Sequence, residues 1–143
     1  MTIKDIFESM DYGPAPESAA EALAWLADRG GIAGHFINGK WDALRDDFPS
    51  NNPATGEKLA GVTKGTAEEV ARAVAAARKA QPKWAKDGAA RARVLYAIAR
   101  LMQKNARLLA VMETLDNGKP IRESRDIDIP LAIRHFYHHA GFA

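Results

Sequence analysis

The sequence predicts an α+β segment, mainly helical, with two short β-hairpins toward its N-terminal side. Three observations lead to that class. Asn38-Gly39 stands between Phe36-Ile37 and Lys40-Trp41, the strongest short hairpin signal a chain offers. Pro53-Ala-Thr-Gly56 separates the Phe48 segment from Lys58-Leu-Ala-Gly-Val62, a second turn between extended runs. From Thr66 onward, apolar residues recur at helical spacing almost to the last residue.

The elements follow in order. Thr2 can cap a short helix whose apolar stripe is Ile3, Ile6, Phe7 and Met10, broken by Asp11-Tyr-Gly-Pro-Ala-Pro16. A second helix is expected over about 17–29, with Ala19, Ala22, Leu23 and Leu26 on one face. Gly30-Gly31 ends it, because a left-handed C-terminal cap favours glycine. Trp25 lies off the stripe and is expected to pack against a neighbouring part of the molecule. In the β section, Pro49 and Pro53 keep the first strand of the second hairpin short or at an edge.

Thr66-Ala-Glu-Glu69 reads as a capping box opening a helix. Its stripe of Val70, Ala73, Val74, Ala77 and Ala80 is narrow and suits close helix packing. Pro82 is expected to stop or kink that helix, leaving Trp84 to cover its end. Val94, Leu95, Ile98, Leu101 and Met102 mark the next helix. A break near Asn105 precedes Leu108, Leu109, Val111, Met112 and Leu115, and Asn117-Gly118 followed by Pro120 is the stop. Residues 121–128 look helical, and Pro130 implies a kink or restart before a helix that continues through His139. The C-terminal Ala140-Gly-Phe-Ala143 is apolar, and the expectation is that the chain is part of a longer protein.

Composition narrows the function classes. The chain has 143 residues, 47% hydrophobic and 27% charged, enough for a core and unlike a disordered tail. A net charge of +2 is too small to imply a polyanionic partner, so no nucleic acid is expected. Without cysteine there are no disulfides, thiolate metal sites or cysteine nucleophiles. No signal core opens the chain and no apolar run reaches membrane-spanning length, so a cytoplasmic protein without a membrane partner is expected.

Several patterns invite chemistry. His135 and His139 share a helix face with His138 beside them, as metal-binding histidines do, but Phe136 stands where a zinc-protease glutamate would. A helix surface that happens to carry histidines is the simpler reading. Arg93, Arg100 and Arg107, with Lys104, read as a solvated or acid-paired face. Gly30-Gly-Ile-Ala-Gly34 follows a helix, whereas a dinucleotide-binding glycine loop follows a strand. Glu68-Glu69 and Asp126/Asp128 read as helix N-terminal charges. No catalytic motif emerges from the residues themselves.

A set of motifs in fixed order carries a resemblance. Phe36-Ile-Asn-Gly-Lys-Trp41, Asn52-Pro-Ala-Thr-Gly-Glu57 and Thr66-Ala-Glu-Glu-Val70 with Ala75-Ala-Ala-Arg78 come first. Trp84, Arg91-Ala-Arg-Val-Leu95, Glu113-Thr-Leu-Asp-Asn-Gly-Lys-Pro120 and Tyr137-His-His-Ala-Gly-Phe-Ala143 follow. Together they resemble the N-terminal region of the NAD(P)-dependent aldehyde dehydrogenases. The leading Ile6-Phe-Glu-Ser-Met-Asp-Tyr-Gly-Pro-Ala-Pro-Glu-Ser18, with Ala22-Leu-Ala-Trp25, resembles the N-terminal extension of the family-16 members.

The resemblance implies a parent that oxidises an aldehyde to a carboxylic acid with NAD or NADP, and a homo-oligomer. Its nucleophilic cysteine, general base and dinucleotide-binding strands come from later sequence, so no catalytic or cofactor-binding residue is assigned here. It also implies the N-terminal part of the aldehyde dehydrogenase fold, α/β in the complete parent. Three sections are expected: a helical extension (1–34), a β-hairpin section (35–63) and a helical section (64–143) that braces the later dinucleotide-binding domain. The family further implies a structural monovalent cation held by backbone carbonyls at Ser50 and Asn51 and by the Asp116 carboxylate, with another ligand from sequence beyond residue 143. The alternative for Asp116 is local hydrogen bonding at its helix end. A function from a different class, a non-catalytic interaction or scaffold module from an inactive member, fits the missing catalytic constellation and Trp25.

Overall fold

Two glycines shape the start of the described chain. Helix α1 (Ala20–Asp28) ends where Gly30 and Gly31 both take left-handed conformations, at φ 70° and 63°. The Gly30 N–H donates to the Ala27 carbonyl and the Gly31 N–H to the Leu26 carbonyl, each at 2.9 Å, which satisfies the last carbonyls of the helix. The computed structural model describes residues 18–143, and the helix expected near residues 2–10 lies outside them. Ala22 is the buried residue of α1. Trp25, expected to pack against a neighbouring part of the molecule, stays 37% exposed, with the Arg29 guanidinium at the end of α1 3.8 Å over its ring.

The β section is larger than two hairpins. Strands β2 (Phe36–Ile37) and β3 (Lys40–Trp41) form the first, with Asn38 and Gly39 both at positive φ as the two-residue turn demands. Strands β4 (Phe48–Asn51) and β5 (Lys58–Val62) form the second, with a register shift between Ser50 and Asn51. A further strand without a sequence signal, β1 (Ile32–Ala33), runs parallel to β5 and makes a three-stranded sheet in the order β1-β5-β4. Two residues behind a glycine pair carry no alternation to read, so only the partner strand defines β1 as a strand.

Helix α2 (Ala67–Lys86) opens with the capping box and does not stop at Pro82. The proline removes one hydrogen bond, from its absent N–H to the Arg78 carbonyl, and it sits close to the helix end where little else depends on it. Trp84 consequently lies within the helix, 45% exposed, and does not cover its end. The expected helix-packing stripe is also corrected: Val70 is 60% exposed and Val74 largely so, while Ala73 and Ala76 are half-buried. Among the described elements, α2 packs on β2 and on the start of the next helix.

Asp87 ends α2 and caps α3 (Gly88–Lys104), accepting from the Ala90 N–H at 2.8 Å. The break at Asn105 is real, and α4 (Ala106–Asn117) follows it. A three-residue α5 (Ile121–Glu123) leads into a π-helical turn, Ser124–Asp128, and then α6 (Ile129–Ala140). There the Ile129 N–H reaches back to the Ser124 carbonyl, a widened ring just before Pro130. The proline therefore resolves the expected kink or restart as a π turn. Fully buried Ser124 accepts from the Thr114 hydroxyl at 3.0 Å and locks this turn to α4.

The most extensive helix packing is between α3 and α6. Ala99, Ala110, Val111, Ile133 and Ala140 are buried there and nearby, so small residues let the helices approach closely. On α3 the inward face is Leu95, Ile98, Ala99 and Met102, and Leu101, expected on that face, is 60% exposed.

Gly118, just past α4, has φ 77°, and a Cβ there would stand 2.7 Å from Pro53 Cγ. Gly30 has a similar φ but open space around it. Gly118→Ala is expected to destabilise by about 1–2 kcal/mol from conformation and by about 1–3 kcal/mol more from overpacking. Gly30→Ala should lose only the first part. Urea denaturation of the two variants checks this, and equal losses would show that the Pro53 contact is relaxed without cost.

Candidate functional site

Two side-chain clusters stand out, and the first contains residues singled out from the sequence. At the junction of β4 and α4, the Ser50 hydroxyl donates to Asp116 Oδ1, joining positions 66 apart in sequence. Strand β4 carries Ser50 inward because its neighbours Pro49 and Asn51 point to solvent. Asn51 pairs with Lys58 across the register shift. A cleft of about 400 Å³ lies alongside, lined by Leu26, Leu59, Val62, Met112, Leu115 and Asp116 among others. Just beyond, Lys119 bonds both Asp128 and Glu113, and those bonds, that to Asp128 foremost, hold its ammonium above the ordinary lysine range.

The second cluster was not visible in the sequence as a cluster. Glu69 completes the capping box by accepting from the Thr66 N–H at 2.8 Å and the Thr66 hydroxyl at 2.9 Å. It also accepts from Arg45, at 3.1 and 3.3 Å, although only 10% of its side-chain surface is open. The Arg45 guanidinium first, then the Thr66 donors, lowers the Glu69 carboxyl from 4.5 to about 2. Glu69 and then Asp47 raise Arg45 in return. The Lys64 N–H, at 2.8 Å, is the main reason that Asp47 titrates below the usual carboxylate range. Buried Thr63 ties the same loop: its hydroxyl donates to the Arg45 carbonyl at 2.8 Å and accepts the Arg45 N–H at 2.9 Å. His35 and the Asp42–Arg72 pair complete the group.

The sequence marks Glu69 as a capping-box partner and a helix N-terminal charge, and the structure adds its pairing with Arg45. The signal for its second role is the Arg45-Asp46-Asp47 run, which has no local partner that a helix would supply. The other expectations fall elsewhere. His135 and His139 stack with centroids 6.3 Å apart on an exposed face, and His138 meets His139 edge-on. Arg93 and Arg100 are exposed on α3, whereas Arg107 belongs to α4, so the basic series is divided by Asn105. Asp126 pairs with Arg125, and Asp128 with Lys119. No helix among the described residues is long and apolar enough to cross a membrane. Chemically, the clusters offer oxygen and nitrogen donors of the kind that bind cations.

Comparison with known proteins gives a consistent result. Residues 41–143 match the aldehyde dehydrogenase family. The Bacillus subtilis protein DhaS is 46% identical over 112 residues, covering 75% of this chain and 23% of its own length. The crystal structure of HpcC from Thermus thermophilus matches with a TM-score of 0.78 and 33% identity, over 93% of this chain and 27% of that one. An NAD+ complex of an aldehyde dehydrogenase from Bacillus cereus gives 0.75 and 33% over 82% of this chain and 25% of that one. The chain thus spans less than a quarter of the curated relative's length.

Because the folded Glu69 carboxyl lies below its ordinary value, its charge-linked stability is complete above about pH 4.5 and is lost as pH falls toward about 2. Glu69→Gln removes that contribution. The difference in unfolding free energy between the native chain and Glu69→Gln is expected to be widest near neutrality and to shrink through the acid range. Urea titrations at several pH values measure it, and a gap that does not change with pH would contradict an ionic role.

Proposed function

The chain belongs to the aldehyde dehydrogenase family, and we propose that it is the N-terminal structural portion of an enzyme that oxidises an aldehyde to a carboxylic acid with NAD(P)+. The observation that carries this reading is the joint match of family and fold, residues 41–143 in sequence and 93% of the chain in structure. The family chemistry needs a nucleophile, a hydride acceptor and a base-activated water. This chain has no cysteine to attack the aldehyde. Its part is architectural: the 64–143 helices brace a dinucleotide-binding domain supplied by other sequence. The NAD+ bound in the Bacillus cereus relative supports NAD as the cofactor. The 6–25 motifs favour the family-16 subgroup, and a cytoplasmic homo-oligomer fits the same reading.

The monovalent-cation site belongs to this proposal. The Ser50 hydroxyl and the Asp116 carboxylate meet there, oxygen groups of the kind a hard cation selects, and the Ser50 and Asn51 carbonyls are the further ligands proposed. The scaffold alternative draws on the half-exposed Trp25 of α1.

The experiment is a chimera in which this chain replaces the equivalent region of the Bacillus cereus aldehyde dehydrogenase. Aldehyde-dependent NAD+ reduction is expected to survive, with potassium raising the melting temperature and Asp116→Asn abolishing that rise. A chimera that fails to fold or to bind NAD+ while the parent does both counts against the structural role. A folded, NAD+-binding chimera without turnover favours the scaffold alternative.

The isolated chain should also betray the missing surface. Phe36, Trp41, Val70, Leu101 and Phe142 are all more than half exposed, and each such side chain gains about 1.5–3 kcal/mol when buried. Self-association and binding of a hydrophobic dye are therefore expected in light scattering and fluorescence. A monomer without dye binding across a wide concentration range would contradict this.

A further inference from the structure

The base of the first hairpin puts two ligating side chains opposite each other. Phe36 pairs with Trp41 and Ile37 with Lys40, so His35 and Asp42 are the next opposed positions. The Asp42 N–H donates to the His35 carbonyl at 2.9 Å, which extends the ladder to them. Opposed residues place their side chains on one face, close together. Glu69, third residue of α2, arrives from the capping box. One ligand atom from each of His35, Asp42 and Glu69 lies within 4.8 Å of the other two.

The state of the His35 ring is constrained from its far side. Nε2 lies 3.1 Å from the Thr63 carbonyl, which can only accept, so Nε2 carries hydrogen. In the neutral ring Nδ1 then presents a lone pair. That nitrogen is shielded from solvent and has no hydrogen-bond partner. Glu69 Oε1, itself an acceptor, stands 3.6 Å away. Two acceptors facing each other out of water repel and leave an unmet polar atom. A cation between them removes both defects. A backbone carbonyl on the opposite ring nitrogen is also the support that orients metal-bound histidines.

We propose that His35 Nδ1, Asp42 and Glu69 bind one divalent transition-metal ion, with Zn2+ the ion best matched to one imidazole and two carboxylates. Ligand atoms around a tetrahedral ion with bonds of ~2.1 Å are separated by about 3.4 Å, a contraction that side-chain rotation alone can supply. Arg45 and Arg72 already neutralise the two carboxylates. Glu69 Oε2 is fully used by Arg45 and Thr66, but Glu69 Oε1 and each Asp42 oxygen accept one guanidinium bond and keep a second lone-pair direction, so the guanidiniums remain as outer-shell partners and make the site modest in affinity. The ion staples the hairpin to the start of α2. It shares no ligand with the Ser50–Asp116 oxygen set and does not depend on the activity of any parent enzyme.

The test uses the full 143-residue chain with His135, His138 and His139 replaced by alanine, so that the exposed histidines cannot compete. Calorimetric titration with Zn2+ at neutral pH is expected to show one ion per chain, with affinity falling at least about tenfold in His35→Ala and in Asp42→Asn. Circular dichroism checks that each variant folds. If His35→Ala does not, Asp42→Asn and the nitrogen-15 spectrum of His35 decide, since Zn2+ should shift Nδ1 while Nε2 stays protonated. No uptake at millimolar Zn2+, uptake unchanged in the variants, or an Nδ1 that carries a proton throughout overturns the proposal.

Discussion

The pairing of Arg45 with Glu69 organises the N-terminal side of this molecule. Glu69 is committed twice, once to the backbone and hydroxyl of Thr66 at the head of α2, and once to a guanidinium 24 residues earlier. Arg45 is likewise committed to Glu69, to Asp47 and to the Lys64 carbonyl. The loop between β3 and β4, the end of β5 and the start of α2 are thereby held at one point. A capping box alone would nucleate a helix without saying where that helix points. With Arg45 in place, the helix start is fixed relative to the sheet, and His35 and Asp42 are brought beside it.

The C-terminal half is held differently. Between α3 and α6 the buried residues are mostly alanine, so the helices approach closely while gaining little from any one side chain. Many of the larger apolar groups lie outside that seam, at Val94, Leu101, Leu131 and Phe142. A π turn rather than a loop carries the chain past Pro130, and the Thr114–Ser124 bond pins that turn from inside. The polar contact is small but sits where the backbone departs from regular geometry, and there an alternative partner would be hard to find.

The Ser50–Asp116 cluster belongs to the three-stranded sheet, and the His35–Asp42–Glu69 cluster to the base of the separate β2-β3 hairpin. Both arise where a strand end meets a helix end, so neither depends on a continuous motif. In each, a hydroxyl or guanidinium lies against a carboxylate, which gives this chain oxygen-rich corners.

Local chemistry made much of the fold legible. Asn38-Gly39 could only turn in the left-handed manner that its hairpin uses, Thr66 to Glu69 contained both halves of a cap, and Asn117-Gly118 carried its own stop. The Ser50–Asp116 pair came instead from a resemblance across distant motifs. Tertiary structure alone decided β1, whose two residues become a strand only because β5 offers bonds to them. It also let α2 run through Pro82, because one lost hydrogen bond near a helix end costs little beside a formed helix. Which face of each helix was buried was settled by partners distant in sequence, as was the second task of Glu69. Periodicity marks a face that can be buried, but a neighbour must be present to bury it.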